Sequence, residues 1–123
     1  MDRGEQVLDK LAELRETYDI SNGFFQAIGA VDRVTLAHYD VDTQEYSETV
    51  FEAPFEVTNF AGNIGPDKIH AHITVADDSY DAKAGHCSGA RVSGTFEMIV
   101  LLSDEPVLNH AYDDETGLDL FDI

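Results

Sequence analysis

The stretch that most narrows the possible folds is Ile69–Ala76, which reads Ile-His-Ala-His-Ile-Thr-Val-Ala. Ile69, Ala71, Ile73 and Val75 recur at every second position. A period of two is the mark of a strand with one apolar face. The alternation has a second consequence: His70 and His72 share the opposite face, with Cα atoms ~6.6 Å apart. The same rule places Phe96, Met98 and Val100 on one face of a strand within Gly85–Leu102, and Glu97, Ile99 and Leu101 on the other. A chain with two such segments has to build a sheet.

Other elements follow in order. Val7, Leu8, Leu11, Ala12 and Leu14 form an apolar stripe at helical spacing, so a helix is expected over Asp2–Tyr18, with Asp2 and Glu5 placed as a capping box. Ser21-Asn22-Gly23 is a turn signal. Phe24–Ile28 reads as a strand ending at Gly29, and Val34–Tyr39 with Glu45–Phe51 as a hairpin across Asp40–Gln44. Pro54, lacking an amide proton, interrupts the run before a further strand, Phe55–Phe60. Gly62–Asp67 reads as a turn-rich connection, with Asn63 capping a turn in preference to contacting a ligand, and Gly85–Leu102 as one long strand or two broken near Gly94. The tail is less regular, and Leu118, Leu120 and Phe121 are available to dock on the body. The expectation is one α+β domain over residues 1–123: an N-terminal helix packed on a mainly antiparallel, strongly curved sheet of about six or seven strands.

Charge bounds the partners. The chain has 25 acidic and 7 basic residues, a formal net charge of -18. That balance repels phosphate backbones and acidic membrane surfaces, so direct nucleic-acid binding is expected to be unfavourable and no membrane partner is expected. No apolar run approaches the ~20 residues that span a bilayer, and no secretory signal is seen, so a cytoplasmic location is expected. Abundant carboxylates with few lysines fit a halophilic archaeon, whose salt screens self-repulsion. Hydrophobic residues make up 43% of the chain, enough for a core despite the charge. Cys87 is the single cysteine, which excludes an internal disulfide and a multi-cysteine zinc site. If His86 lies on a strand, Cys87 points to the other face.

His86, flanked by Gly85, returns after the loop Asp77–Ala84 and can come back beside the His70/His72 strand. Three neutral imidazoles with an open fourth position suit a catalytic zinc ion, which polarises a carbonyl or activates water. The competing reading is the polar face of a half-buried sheet. Glu97, a charge in an otherwise apolar strand, needs a partner or water; it is the candidate acid/base, a fourth ligand, or a group that orients a ligand. His38 and His110 read as surface or packing residues, and Arg33 and Arg91 as partners of carboxylates or of an anionic substrate. No H-E-x-x-H, G-x-S-x-G or phosphate-cradling glycine loop is present.

Taken together and in order, Ile28-Gly29-Ala30-Val31, Val34–Asp40, Glu45-Tyr46, Phe60–Ile64, His70-Ala71-His72-Ile73, Gly85-His86 and Gly94-Thr95-Phe96-Glu97 resemble the PPC family, the plants-and-prokaryotes-conserved domain also called DUF296. The resemblance covers nearly all of the chain. It implies an α+β sheet domain assembled as a homotrimer, with a histidine-based zinc motif carried here by His70, His72 and His86 and with Glu97 as a companion. Plant members join the domain to AT-hook segments that bind DNA; this chain has no such segment. The family commonly has a strand ahead of the first helix, which the sequence here does not show. Two function classes follow. One is a metal-binding domain, with Zn2+ first or another divalent transition metal, extending to a metal-dependent enzyme on a small carbonyl substrate in which Glu97 moves a proton. The alternative is a non-catalytic regulatory or structural module that binds protein partners. Direct DNA binding is a third reading, set against the charge.

Overall fold

The computed structural model describes residues 1–104 and 107–123. In chain order the elements are α1 (Val7–Thr17), β1 (Gly23–Asp40), β2 (Glu45–Ile64), β3 (Ile69–Ala76), β4 (Ala82–Leu102), β5 (His110–Asp113) and β6 (Leu118–Phe121). β1 to β4 form a closed antiparallel barrel in which β4 pairs back onto β1, and β5–β6 is a separate two-stranded sheet. The α+β class and the N-terminal helix are as expected. The single curved sheet of six or seven strands is corrected to four barrel strands plus a hairpin.

The difference comes from three residues that look like strand breaks. Gly29, Pro54 and Gly94 all lie inside continuous strands. The β1–β2 ladder shifts register at Ala27/Gly29 and at Val31/Arg33, and the β1–β4 ladder shifts at Gly29/Val31. Such bulges bend and twist a strand without ending it, which lets strands of 18, 20 and 21 residues curl into a closed wall. Gly29 sits where β4 comes closest: a Cβ there would fall on the Thr95 carbonyl oxygen and 2.8 Å from Phe96 Cα. Pro54 occupies a gap between the paired residues Glu52 and Phe55, and β3 pairs with β2 only from Glu56 onward, so its missing N–H leaves no ladder bond unmade.

Inside the barrel, Phe60 lies between Phe25, 5.1 Å away by ring centroid, and Phe96, 5.5 Å away edge-on. Val31, Val34, Ile73, Val75 and Val92 complete the buried interior, which Val7 and Leu11 of α1 join. The helix starts at Val7 rather than Asp2 because the preceding residues are committed elsewhere. Asp2 N donates to Glu5 Oε2 (2.7 Å), while Gly4 N donates to the Val92 carbonyl and Val92 N to the Glu5 carbonyl, so Gly4–Gln6 run along β4.

The hairpin is tied to the barrel by polar contacts. Tyr39 Oη donates to the Thr116 carbonyl and Lys68 Nζ to the Asp119 carbonyl, each at 2.7 Å, and His110 Nδ1 lies 3.0 Å from Asp67 Oδ1. Its turn is closed by Asp113, whose Oδ2 accepts from Thr116 N and Oγ1. Among the described residues no helix is long and apolar enough to cross a membrane.

Candidate metal centre

Because Ala71, Ile73 and Val75 fill the barrel interior, His70 and His72 project from its outer wall. His72 is directly paired with His86 of β4, and His70 with Asn63 of β2. Ring centroids are 5.2 Å apart for His70–His72 and His70–His86 and 5.6 Å for His72–His86. One nitrogen from each ring lies within 4.8 Å of the others. Metal–nitrogen bonds of ~2.0–2.1 Å hold tetrahedral ligand atoms roughly 3.4 Å apart, a separation that side-chain rotation reaches from here.

The electrostatics favour the ligating form. Burial, and then the charges of His86 and His72, push the His70 imidazolium down to about 4. Burial and His72 lower His86 also, with Glu48 pulling the other way. Neutral rings offer lone pairs without first shedding protons. His86 Nδ1 is buried and makes no hydrogen bond among the described residues, so it too fits a site completed by an ion. Cys87 points into the core, and burial raises its thiol to about 11, which removes it from the donor set.

The histidines open onto a cavity of about 660 Å³ between the barrel wall and the hairpin. Tyr46 stands beside His86 with ring centroids 5.8 Å apart, Asn63 and Lys68 add polar groups, and Leu118, Leu120 and Phe121 make an apolar far wall. Tyr46 and Lys68 carry no site reading in the sequence, Asn63 reads as a turn cap before a ligand contact, and the cavity-lining His38 and His110 as packing or surface residues. A signal existed for Asn63. Counting back from Ile64, which is buried, places it on the outer face, but the glycines around it read as a turn.

Glu97 is not brought to this site. It pairs with Ile28 in the β1–β4 ladder, is exposed, and lines a different hollow with Phe24, Met98 and Ile99. It stands eleven positions from His86 along β4, roughly 35 Å if fully extended. Arg91 is bound to Asp32 at 2.6 Å and Arg33 to Glu52 at 3.2 Å, so both cations have carboxylate partners.

Solved structures with the same fold include a candidate DNA-binding protein from Bacteroides thetaiotaomicron (26% identical, 99% of this chain and 87% of that one, TM-score 0.91). A candidate DNA-binding protein from Ralstonia eutropha JMP134 is also 26% identical, over 100% of this chain and 88% of that one, with TM-score 0.89. A metal-containing protein from Archaeoglobus fulgidus is 28% identical over 98% of this chain and 88% of that one, with TM-score 0.89. Among curated proteins, the bifunctional protein GlmU of Synechococcus sp. (strain JA-2-3B'a(2-13)) is 26% identical over 116 residues; these are 93% of this chain and 18% of that protein, so the chain spans under a fifth of its length.

The two candidate DNA-binding relatives overturn the expectation that nucleic-acid binding is unfavourable in this fold. A net charge is a sum over the whole surface, and it does not forbid a local contact. Residues 1–103 match the family model of the Plants and Prokaryotes Conserved (PCC) domain, and the chain belongs to that family, the one its motifs resemble.

Proposed function

We propose that the domain is a non-catalytic regulatory module that binds one divalent transition-metal ion, zinc first, through His70, His72 and His86. The observation that carries the metal half is the convergence of three imidazole nitrogens within 4.8 Å on one barrel face. The metal-containing relative supports it. The regulatory half is supported by the two candidate DNA-binding relatives and by the position of Glu97, away from the histidines. Exposed Ile28, Ile99 and Leu101, at 56%, 69% and 61%, support covering of that face by further copies in the homotrimer that the family resemblance implies.

A second reading, turnover of a small carbonyl compound, is favoured by the cavity beside the histidines, whose size suits a small ligand. A bound ion would supply Lewis-acid polarisation there, while Tyr46 and the hairpin residues would shield the reacting group from water.

The test is metal content per chain after purification without a histidine tag, for the parent and a His70→Ala/His72→Ala variant. About one ion per chain in the parent, lost in a folded variant, is expected. A parent that neither carries a metal nor takes up added zinc refutes the metal half. Fluorescence anisotropy with a labelled DNA duplex at low and moderate salt addresses the regulatory half, where binding that weakens with salt is expected. Turnover abolished by the double variant would replace the regulatory reading with the catalytic one.

A further inference from the structure

Asn63 is held in place by its neighbours on both strands. Gly62 faces the interior, since a Cβ there would lie 2.6 Å from Phe25 Cζ. The following residue therefore faces out, onto the wall that carries the histidines. Asn63 is paired with His70 across β2–β3 and lines the same cavity. Its Oδ1 is buried and accepts no hydrogen bond among the described residues. Lys68 Nζ donates to the Asp119 carbonyl and His110 Nδ1 lies on Asp67 Oδ1, and neither reaches Asn63 Oδ1. His86 Nδ1 is also unpartnered, so the two do not bond each other. A buried acceptor with nothing donating to it is unfavourable, and such atoms in folded proteins have a partner that the protein alone does not supply.

We infer that Asn63 is a positioning residue that decides what the open side of the three-histidine site accepts, its Oδ1 receiving an N–H or O–H from the occupant. This rests on the metal-binding reading above. The occupant then has two requirements: a lone pair for the ion, and a donor beside it. Water, hydroxide and a hydroxamate meet both. A bare anion such as thiocyanate meets only the first and leaves Oδ1 unpaired.

The experiment uses the full chain loaded with cobalt(II), titrated with acetohydroxamate and separately with thiocyanate while visible absorption is followed. For Asn63→Leu, acetohydroxamate is expected to bind about tenfold more weakly than to the parent. Thiocyanate is expected to bind as before or more tightly, with cobalt content and the metal-free melting temperature retained. If Asn63→Leu does not fold, Asn63→Ala carries the same expectation. Equal acetohydroxamate affinity in parent and variant overturns this inference alone. So does a folded variant that no longer holds cobalt, because Asn63 would then be a ligand itself. A parent that takes up no cobalt overturns the metal reading, and this inference with it.

Discussion

Gly62→Ala is the substitution that ties the barrel's packing most directly to the candidate metal site. The added methyl would fall on the His70 carbonyl oxygen, 2.6 Å from Phe25 Cζ and 2.9 Å from the His70 carbonyl carbon. Carbon atoms in contact sit ~3.5–4.0 Å apart, so β3 or the Phe25 ring has to retreat by roughly 1 Å. Phe25 is wholly buried against Phe60, which leaves the β3 backbone at His70 as the part that moves. Overpacking of this kind costs about 1–3 kcal/mol, or about 4–12 °C in Tm for a chain of this size. Metal sites tolerate about 0.2 Å in their bond lengths, so an ångström shift at His70 should weaken zinc binding as well. Gly89→Ala is the control, because its methyl meets only the Thr35 side chain at 3.7 and 3.9 Å, an ordinary contact. The assay is thermal unfolding of the metal-free chain with zinc affinity measured by chelator competition. If Gly62→Ala melts and holds zinc as Gly89→Ala does, the close approach of β2 to β3 at His70 is wrong.

Three further outcomes are expected. His70 has a folded-state pKa of about 4 against an ordinary 6.5; between those values the unfolded chain takes up a proton that the folded chain refuses, so metal-free stability falls as pH drops through that window. Discounted for partial exposure, the loss is about 1 kcal/mol by pH 5, and comparison of chelator-treated parent and His70→Gln melts at pH 7 and 5 should show a shallower loss in the variant. Phe60→Ala, at the centre of the three-ring stack, should cost about 3–5 kcal/mol by denaturant unfolding. Tyr39→Phe removes the donor to the Thr116 carbonyl, a loss of about 0.5–1.5 kcal/mol, and limited proteolysis should cut the hairpin sooner while the barrel stays intact.

What the sequence disclosed depended on distance along the chain. His70 and His72 were legible because strict alternation puts both on one face, and His86 because its loop is short enough to return. Gly29, Pro54 and Gly94 misled because a local rule treats a glycine or proline as an end, whereas bulges and an unpaired stretch absorb them when strands on both sides hold the register. Glu97 was attached to the histidines by its chemistry and by the family resemblance; nothing local encodes how far along β4 it stands from His86. The β5–β6 hairpin was legible only as Leu118, Leu120 and Phe121 docking, since four-residue strands carry too few alternations to announce themselves.

The family match ends at residue 103 and β5 begins at His110. The three clustered histidines therefore belong to the matched barrel, while the facing wall of their cavity belongs to the tail. The cavity is thus lined from two parts of the chain, with Asn63 and the three histidines on the matched side and Leu118, Leu120 and Phe121 on the other. Exchanging the tail would reshape one wall of the cavity while leaving His70, His72 and His86 on the strands that carry them.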